Sequence, residues 1–369
     1  MDRRERDLLS GRRHDGLLSG QLSTLQADDA RAHGGPLFSA RIRTRPEHFV
    51  VVEELGFEPS ADGEHDFLLL EKTNTNTEWL ARQLARFAGV ASRDVGYSGL
   101  KDRHAVTRQW FSVHTGRHSP DWSALELEGV RVLDIGRHQR KLRRGSHRRN
   151  HFSIVLDGLS RVPSTAELVA RIDAMGACGV PNYFGPQRFG RNDANLALAA
   201  SLFAGKKLRR DKRGFAISAA RAQIFNAILG RRVAAGSWDR ILPGELANLD
   251  GSGSVFKVEA VDATLAARAR ALDIHPTGTL WGVPSPSAAT AEVAALESAV
   301  AEDFREFADG LLAGGVAAAA RPLRVRPAGL RARLNGERQL CLAFSLPKGA
   351  FATALLAELA EVEDAAISA

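Results

Sequence analysis

A single carboxylate, Asp102, stands between Lys101 and Arg103 in the stretch VGYSGLKDRHAVTRQWFSV (residues 95–113), behind Gly96 and Gly99 and just ahead of an apolar run. The glycines permit tight backbone geometry and close approach by a ligand, and the two bases flank the acid with positive charge. A lone carboxylate held in this way suits nucleophilic chemistry. An Asp beside glycines is also ordinary turn or helix-cap composition, so this stretch taken alone leaves both roles open. His104 is a potential acid or base, but its type and adjacency favour a hydrogen-bonding role behind Asp102 over proton transfer.

The elements that would position such a group are legible on both sides. FVVVEEL (residues 49–55) and DFLLLEK (66–72) are short apolar runs bounded by turn residues and read as strands, and Trp110, Ser112 against Phe111, Val113 alternate as another. Between them Thr75 and Glu78 form a capping box opening a helix, with Trp79, Leu80, Leu84 and Phe87 at helical spacing and Gly89 at its end. Trp79 is assigned to the core. Further strands are expected near 130–135 and over 152–156, and Ser164 with Glu167 caps the next helix. At Gly179 the composition shifts to a Gly/Pro-rich connection and then Ala-rich helical segments as far as about Arg321. Strand character returns around Asn335-Gly336, a hairpin-turn dipeptide, before a final helix over 351–361. Residues 1–35 mix charges, Gly and Ser with too few apolar residues for a core, and are expected as a poorly ordered tail or a surface helix.

The motifs GLKDRHAVT, RPEHFVVVEELGF (45–57), RNHFSIVL (149–156), GVPNYFGPQRFG (179–190), SAARAQIFN (218–226) and SLPKGAFATALL (345–356) occur in collinear order. With them the chain resembles the tRNA pseudouridine synthase D (TruD) family from about Arg41 to its C-terminus. The resemblance implies an α+β fold: a catalytic pseudouridine synthase domain on a mostly antiparallel mixed sheet with flanking helices, interrupted by an inserted α/β domain. The corresponding division is 36–178 with 326–369 for the catalytic part and 179–325 for the insertion. It also implies isomerisation of uridine to pseudouridine in tRNA, at position 13 of the D-arm, without cofactor. Asp102 becomes the catalytic carboxylate. Phe49, Asn150 and Phe351 match substrate-contacting positions, although from hydrophobicity alone either Phe is ordinary core. Arg43, just before RPEHF, matches a basic position suited to pairing with Asp102; Lys101 is a further candidate for support or for phosphate contact.

With 369 residues and 44% apolar composition the chain can bury two cores. Its net charge of +7 and pI near 9.8 favour an anionic partner. The charge is concentrated: residues 137–149 hold seven Lys or Arg and no acid, among them Arg140, Lys141, Arg143, Arg144, Arg148 and Arg149, and KKLRRDKR (206–213) is a second cluster. An isolated basic run is usually a solvated loop; beside a candidate RNA-modification site these two read as phosphate contacts. Two cysteines, Cys178 and Cys341, make no disulfide framework and are assigned to packing in a reducing cytosol. Without a signal or membrane segment, a soluble cytoplasmic monomer with tRNA as partner is expected. GPQRFGRN (185–192) has phosphate-loop glycine spacing but lacks the required Lys and Ser or Thr, and His65-Asp66 lacks companions for a metal site; no metal is expected. An RNA-binding module with a vestigial site and a base-removing hydrolase are the competing classes.

Overall fold

The computed structural model describes residues 30–285 and 288–368. Strands β1 (Ser39–Ile42), β2 (Phe49–Leu55), β3 (His65–Thr73), β4 (Val95–Tyr97), β5 (Val106–His114), β6 (Val130–His138) and β7 (His147–Asp157) belong to one large sheet, with helix α1 (Thr77–Phe87) between β3 and β4 and α2 (Thr165–Cys178) after β7. The chain leaves this sheet through β8 (Val180–Pro181). It then forms α3 (Ala194–Phe203), α4 (Arg210–Ala234), β9 (Leu246–Leu249), β10 (Val255–Lys257), α5 (Ala263–Arg270), β11 (Ile274–Leu280), α6 (Ala291–Asp303), α7 (Arg305–Ala313) and β12 (Ala319–Pro322). It returns through β13 (Arg324–Val325), which pairs antiparallel with β8, so the two crossings are hydrogen-bonded to each other. β14 (Ala328–Asn335), β15 (Gln339–Pro347), α8 (Ala352–Ala357) and β16 (Glu361–Asp364) follow.

The large sheet has ten strands in the order β14-β15-β7-β2-β5-β3-β6, with β4 on β5, β1 on β7 and β16 on β1. Its pairs are antiparallel except β2 with β5 and β1 with β16, the mixed, mostly antiparallel α+β arrangement expected. Period-2 alternation explains the burial: Phe49, Val51 and Glu53 of β2 point inward, as do Leu68, Leu70 and Lys72 of β3. Phe49, Val51, Ile154, Leu342 and Phe344 pack under α2 and α8. Leu68, Leu70, Phe111 and Val113 pack under Leu80 and Leu84 of α1. β9 to β12 form a separate four-stranded sheet, and α3, α4, α6 and α7 bury a third cluster around Phe225 and Ile228.

Local readings are corrected at several points. The α1 cap is Asn76, whose Oδ1 accepts from the backbone of Glu78 and Trp79, while Thr75 turns its hydroxyl back to the Thr73 carbonyl. Trp79 is 37% exposed and lies outside the core. The Ser164–Glu167 capping box is present. The hairpin at Asn335 uses a three-residue turn, with Gly336 at φ +65°, instead of a two-residue one. The final helix stops at Ala357 because residues 361–364 pair with β1 as a parallel strand. Cys178 is exposed and packs no core. Of the expected tail, residues 1–29 lie outside the described residues, but 30–35 are held down: the amides of Ala32 and His33 donate to the Glu358 carboxylate and Arg31 donates to the Ala357 carbonyl.

Candidate active site

Asp102 sits in the loop joining β4 to β5, and its Oδ2 accepts from Arg43 Nη2 at 3.0 Å. The two partners differ in environment: the Arg43 side chain is 5% exposed, that of Asp102 39%. A buried cation thus holds a carboxylate that still faces open space, the condition a reacting group needs. Arg43 reaches this position from just beyond β1 with φ +56°, a left-handed conformation that costs an L-residue about 1–2 kcal/mol. Three contacts hold it there: Asp102, Asp364 on its other nitrogen, and the Phe49 ring, whose centroid lies 4.3 Å from the guanidinium carbon.

The loop itself is tied to the sheet from below. Lys101 extends inward to Glu53 of β2 at 2.6 Å, and its amide donates to Thr77 Oγ1 at the start of α1. Gln109 of β5 donates to the Gly99 carbonyl at 2.5 Å. Gly96 is required by close approach, since a Cβ there would overlap the Leu142 carbonyl oxygen; at Gly99 there is ordinary room.

Other expected site residues are distributed around this loop. Asn150, half-buried on β7, lies 3.3 Å from His147 Nε2 through its Nδ2, and its Oδ1 is buried without a partner among the described residues. Phe49 is 2% exposed, packed edge-to-face on Phe152 and covered by Arg43, so it meets the arginine in place of a base. Phe351 is half-buried at the start of α8, its ring 5.7 Å from Phe184. His104 is exposed and makes no hydrogen bond among the described residues; the hydrogen bonds that fix Asp102 come from elsewhere. It lines a cavity of about 890 Å³ whose walls include Gly185, Gln187, Asn192, Thr353 and Asp364. Lys101, committed to Glu53 and buried, is not a surface phosphate contact.

The basic run forms the β6–β7 loop and the start of β7. Arg140, Arg143, Arg144 and Arg148 are exposed and Arg149 is half-buried; Arg144 lies over the Tyr97 ring, Arg148 and Arg149 approach Glu54, and Lys141 donates to the Arg93 carbonyl. This loop adjoins the Asp102 loop, with the Gly145 amide donating to the Ser98 carbonyl at 2.6 Å. The 206–213 cluster is almost wholly exposed and runs from the α3–α4 connection into the first turn of α4. Asp66, set beside His65 as a conceivable ligand pair, instead accepts from Arg137, Ser119 and Trp122.

A model of the tRNA pseudouridine synthase D (TruD) family matches residues 32–210 and 202–359. The chain belongs to the TruD family. It is 46% identical to the tRNA pseudouridine synthase D of Methylococcus capsulatus over 339 residues, covering 91% of this chain and 95% of that one. It is equally similar to that of Nitrosococcus oceani, at 46% over 353 residues and with 92% and 98% covered. The crystal structure of a TruD protein from Methanosarcina mazei superposes with a TM-score of 0.67 at 22% identity, over 90% of this chain and 96% of that one, and so shares the fold.

In this TruD-family chain the supporting groups missed from the sequence are Lys72, Glu53, Asp364 and His147. Lys72, the last residue of the DFLLLEK run, lies on the same face as Leu68 and Leu70 and is fully buried. Its Nζ donates to the carbonyls of Thr75, at 2.6 Å, and of Asp102 itself, at 3.0 Å. Burial pulls this ammonium down to about 8, against the opposing attraction of the Asp102 charge. Burial likewise lowers His147, helped by the Lys101 charge. For Lys72 the sign follows from linkage: between pH 8 and 10.5 the unfolded chain binds the extra proton, so the burial penalty present below pH 8 is relieved as pH rises through that window. Comparing denaturant unfolding of the wild type with Lys72→Met from pH 7 to 10.5 is expected to show about 3 kcal/mol of relief in the wild type alone. Parallel pH dependences would mean that the Lys72 charge is not buried in solution.

Proposed function

We propose that this chain converts uridine to pseudouridine in tRNA, with Asp102 as the reacting carboxylate. The observation that carries the reading is the half-exposed Asp102 held by the buried Arg43, within the GLKDRHAVT stretch whose resemblance to the family makes it the catalytic acid. The target is position 13 in the D-arm, as the family resemblance implies. The N1–C1′ bond of uridine breaks, the base turns in the pocket, and a C5–C1′ bond forms; the C5 hydrogen leaves to solvent and N1 gains a proton, so mass is unchanged. Asp102 adds to C1′ or assists proton removal toward a glycal, and the same carboxylate serves either route. No redox partner or energy source enters the balance.

The surrounding residues take matching roles. Arg43 keeps the carboxylate aimed, and Phe49 acts through Arg43 as its floor. Asn150, with its unpartnered Oδ1, accepts from an N–H on the base edge, and Phe351 offers a ring against which an extruded base stacks, offsetting the few kcal/mol of unstacking. The two units of the enzyme are residues 36–178 with 326–369 and residues 179–325, and the tRNA lies in the basic cleft between them, bound mainly through phosphates and shape. The protein works as a cytoplasmic monomer; among the described residues no helix is long and apolar enough to cross a membrane.

The test is tritium release from tRNA transcripts labelled at uracil C5, with the product mapped by position. One pseudouridine in the D-arm is the expected result; tight tRNA binding without release would favour a non-catalytic RNA-binding protein, and an abasic ribose would indicate hydrolysis. Phe351→Ala is expected to lower kcat/KM by about 10-fold or more, consistent with base–aromatic stacking worth about 1–3 kcal/mol. Its melting temperature should stay near that of the wild type because the ring is only half-buried. A large drop in melting temperature with unchanged kcat/KM would make it core.

A further inference from the structure

The GPQRFG segment, rejected as a nucleotide loop, has another feature. Arg188, at its 3-10 turn (Pro186–Arg188), and Arg321, at the end of β12, approach the same aromatic ring. The Arg321 guanidinium carbon lies 3.9 Å from the Phe184 centroid, and that of Arg188 lies 5.0 Å from Phe184 and 5.7 Å from Phe351. Arg188 donates to Ser218 Oγ at 2.8 Å; Arg321 donates through one nitrogen to Asn182 and to the Gly349 carbonyl. The Nε–H of both is buried without a partner, and neither arginine makes an ion pair among the described residues.

Stacking on Phe184 accounts for where these guanidiniums sit, but it gathers two like charges around one ring with no ion-pair partner among the described residues. Burial and mutual repulsion act in the same direction on Arg321, holding it down at about 9, and burial lowers Arg188. Such a pair is costly unless an anion completes it. Forked guanidinium donors match a phosphate geometrically, and both arginines lie on Phe184, which lines the cavity together with Gly185 and Thr353, while Arg188 also approaches Phe351.

We propose that Arg188 and Arg321 hold a phosphodiester of the RNA strand next to the nucleotide that meets Phe351. This rests on the reading of an RNA substrate. The site anchors the strand from the 179–325 side while Asp102 acts from the other.

The experiment measures tRNA dissociation constants across a salt series for the wild type and Arg188→Gln, with melting curves for both and tritium release for the wild type. Arg188→Gln is expected to weaken binding about 5- to 10-fold and to reduce the log–log salt slope by about 0.7, as for one lost single-strand phosphate contact. An unchanged slope in a folded variant overturns the site. Should the variant melt early, phenylglyoxal modification of the wild-type chain, read by mass spectrometry, decides instead: tRNA is expected to protect Arg188 severalfold, and equal modification with and without tRNA overturns the proposal. A wild type that binds tRNA with this slope change but releases no tritium keeps the site and removes the synthase reading; a wild type that binds no tRNA overturns both.

Discussion

Asp102→Asn is expected to lower tritium release by about 10⁴-fold or more, the scale of losing a group on which covalent chemistry depends. An amide neither adds to C1′ nor takes a proton, and the neighbouring Asp364 is held on the other nitrogen of Arg43. Folding should barely notice. Asp102 is 39% exposed, and an ion pair of that kind contributes roughly 0–1 kcal/mol. Melting temperature and tRNA affinity are therefore expected within experimental scatter of the wild type, which separates a chemical role from a structural one. Turnover retained in Asp102→Asn would remove this residue from the reaction and return it to turn-former status.

Glu53→Gln carries the largest expected stability loss. Lys101 and Glu53 have side-chain exposures of 6% and 0% and meet at 2.6 Å, with the other Glu53 oxygen accepting from the Trp110 amide. Removing one charge strands the other in the interior, an effect of about 3–5 kcal/mol, which corresponds to a melting-point drop of roughly 10 °C for a unit of this size. Turnover should fall as well, because Lys101 precedes Asp102 and its side chain is the loop's anchor to β2. The double variant Glu53→Gln/Lys101→Met is expected to recover much of the stability without recovering activity, since it removes the stranded charge but not the need for the anchor. Equal melting temperatures for Glu53→Gln and wild type, measured by calorimetry, would show that the pair holds nothing.

The strands and caps that rest on local rules were legible. β2 begins and ends where the apolar run does, the Ser164–Glu167 box is in place, and the Asp102 loop lies between two strands. Readings failed where tertiary pairing overrode local preference. The final helix, expected as far as Glu361, stops at Ala357 and the chain turns into a strand over 361–364, because β1 offers an open edge; Trp79 keeps helical spacing yet faces outward, because α1 buries its Leu80–Leu84 side. Alternation already contained the burial of Lys72 and Glu53, since each shares a face with apolar neighbours two residues away, but which charge on the far side would meet it is not a local property.

By itself the sequence determined the family, with the mixed α+β class that this resemblance implies, the candidate carboxylate and the concentration of positive charge near it. These follow from motifs, period-2 alternation and composition, all local along the chain. The resemblance offered Arg43 as the partner of Asp102; only the tertiary structure decided the rest of what surrounds it, the Lys72 ammonium from β3 and, across Arg43, Asp364 from β16. Alternation fixes the face on which a side chain lies but says nothing about which strand is its neighbour. That depends on strand order, on the parallel pairing of β2 with β5 and of β1 with β16, and on the left-handed turn at Arg43. Each is chosen by the packing energy of the whole sheet, and none by the residues beside Asp102 in sequence.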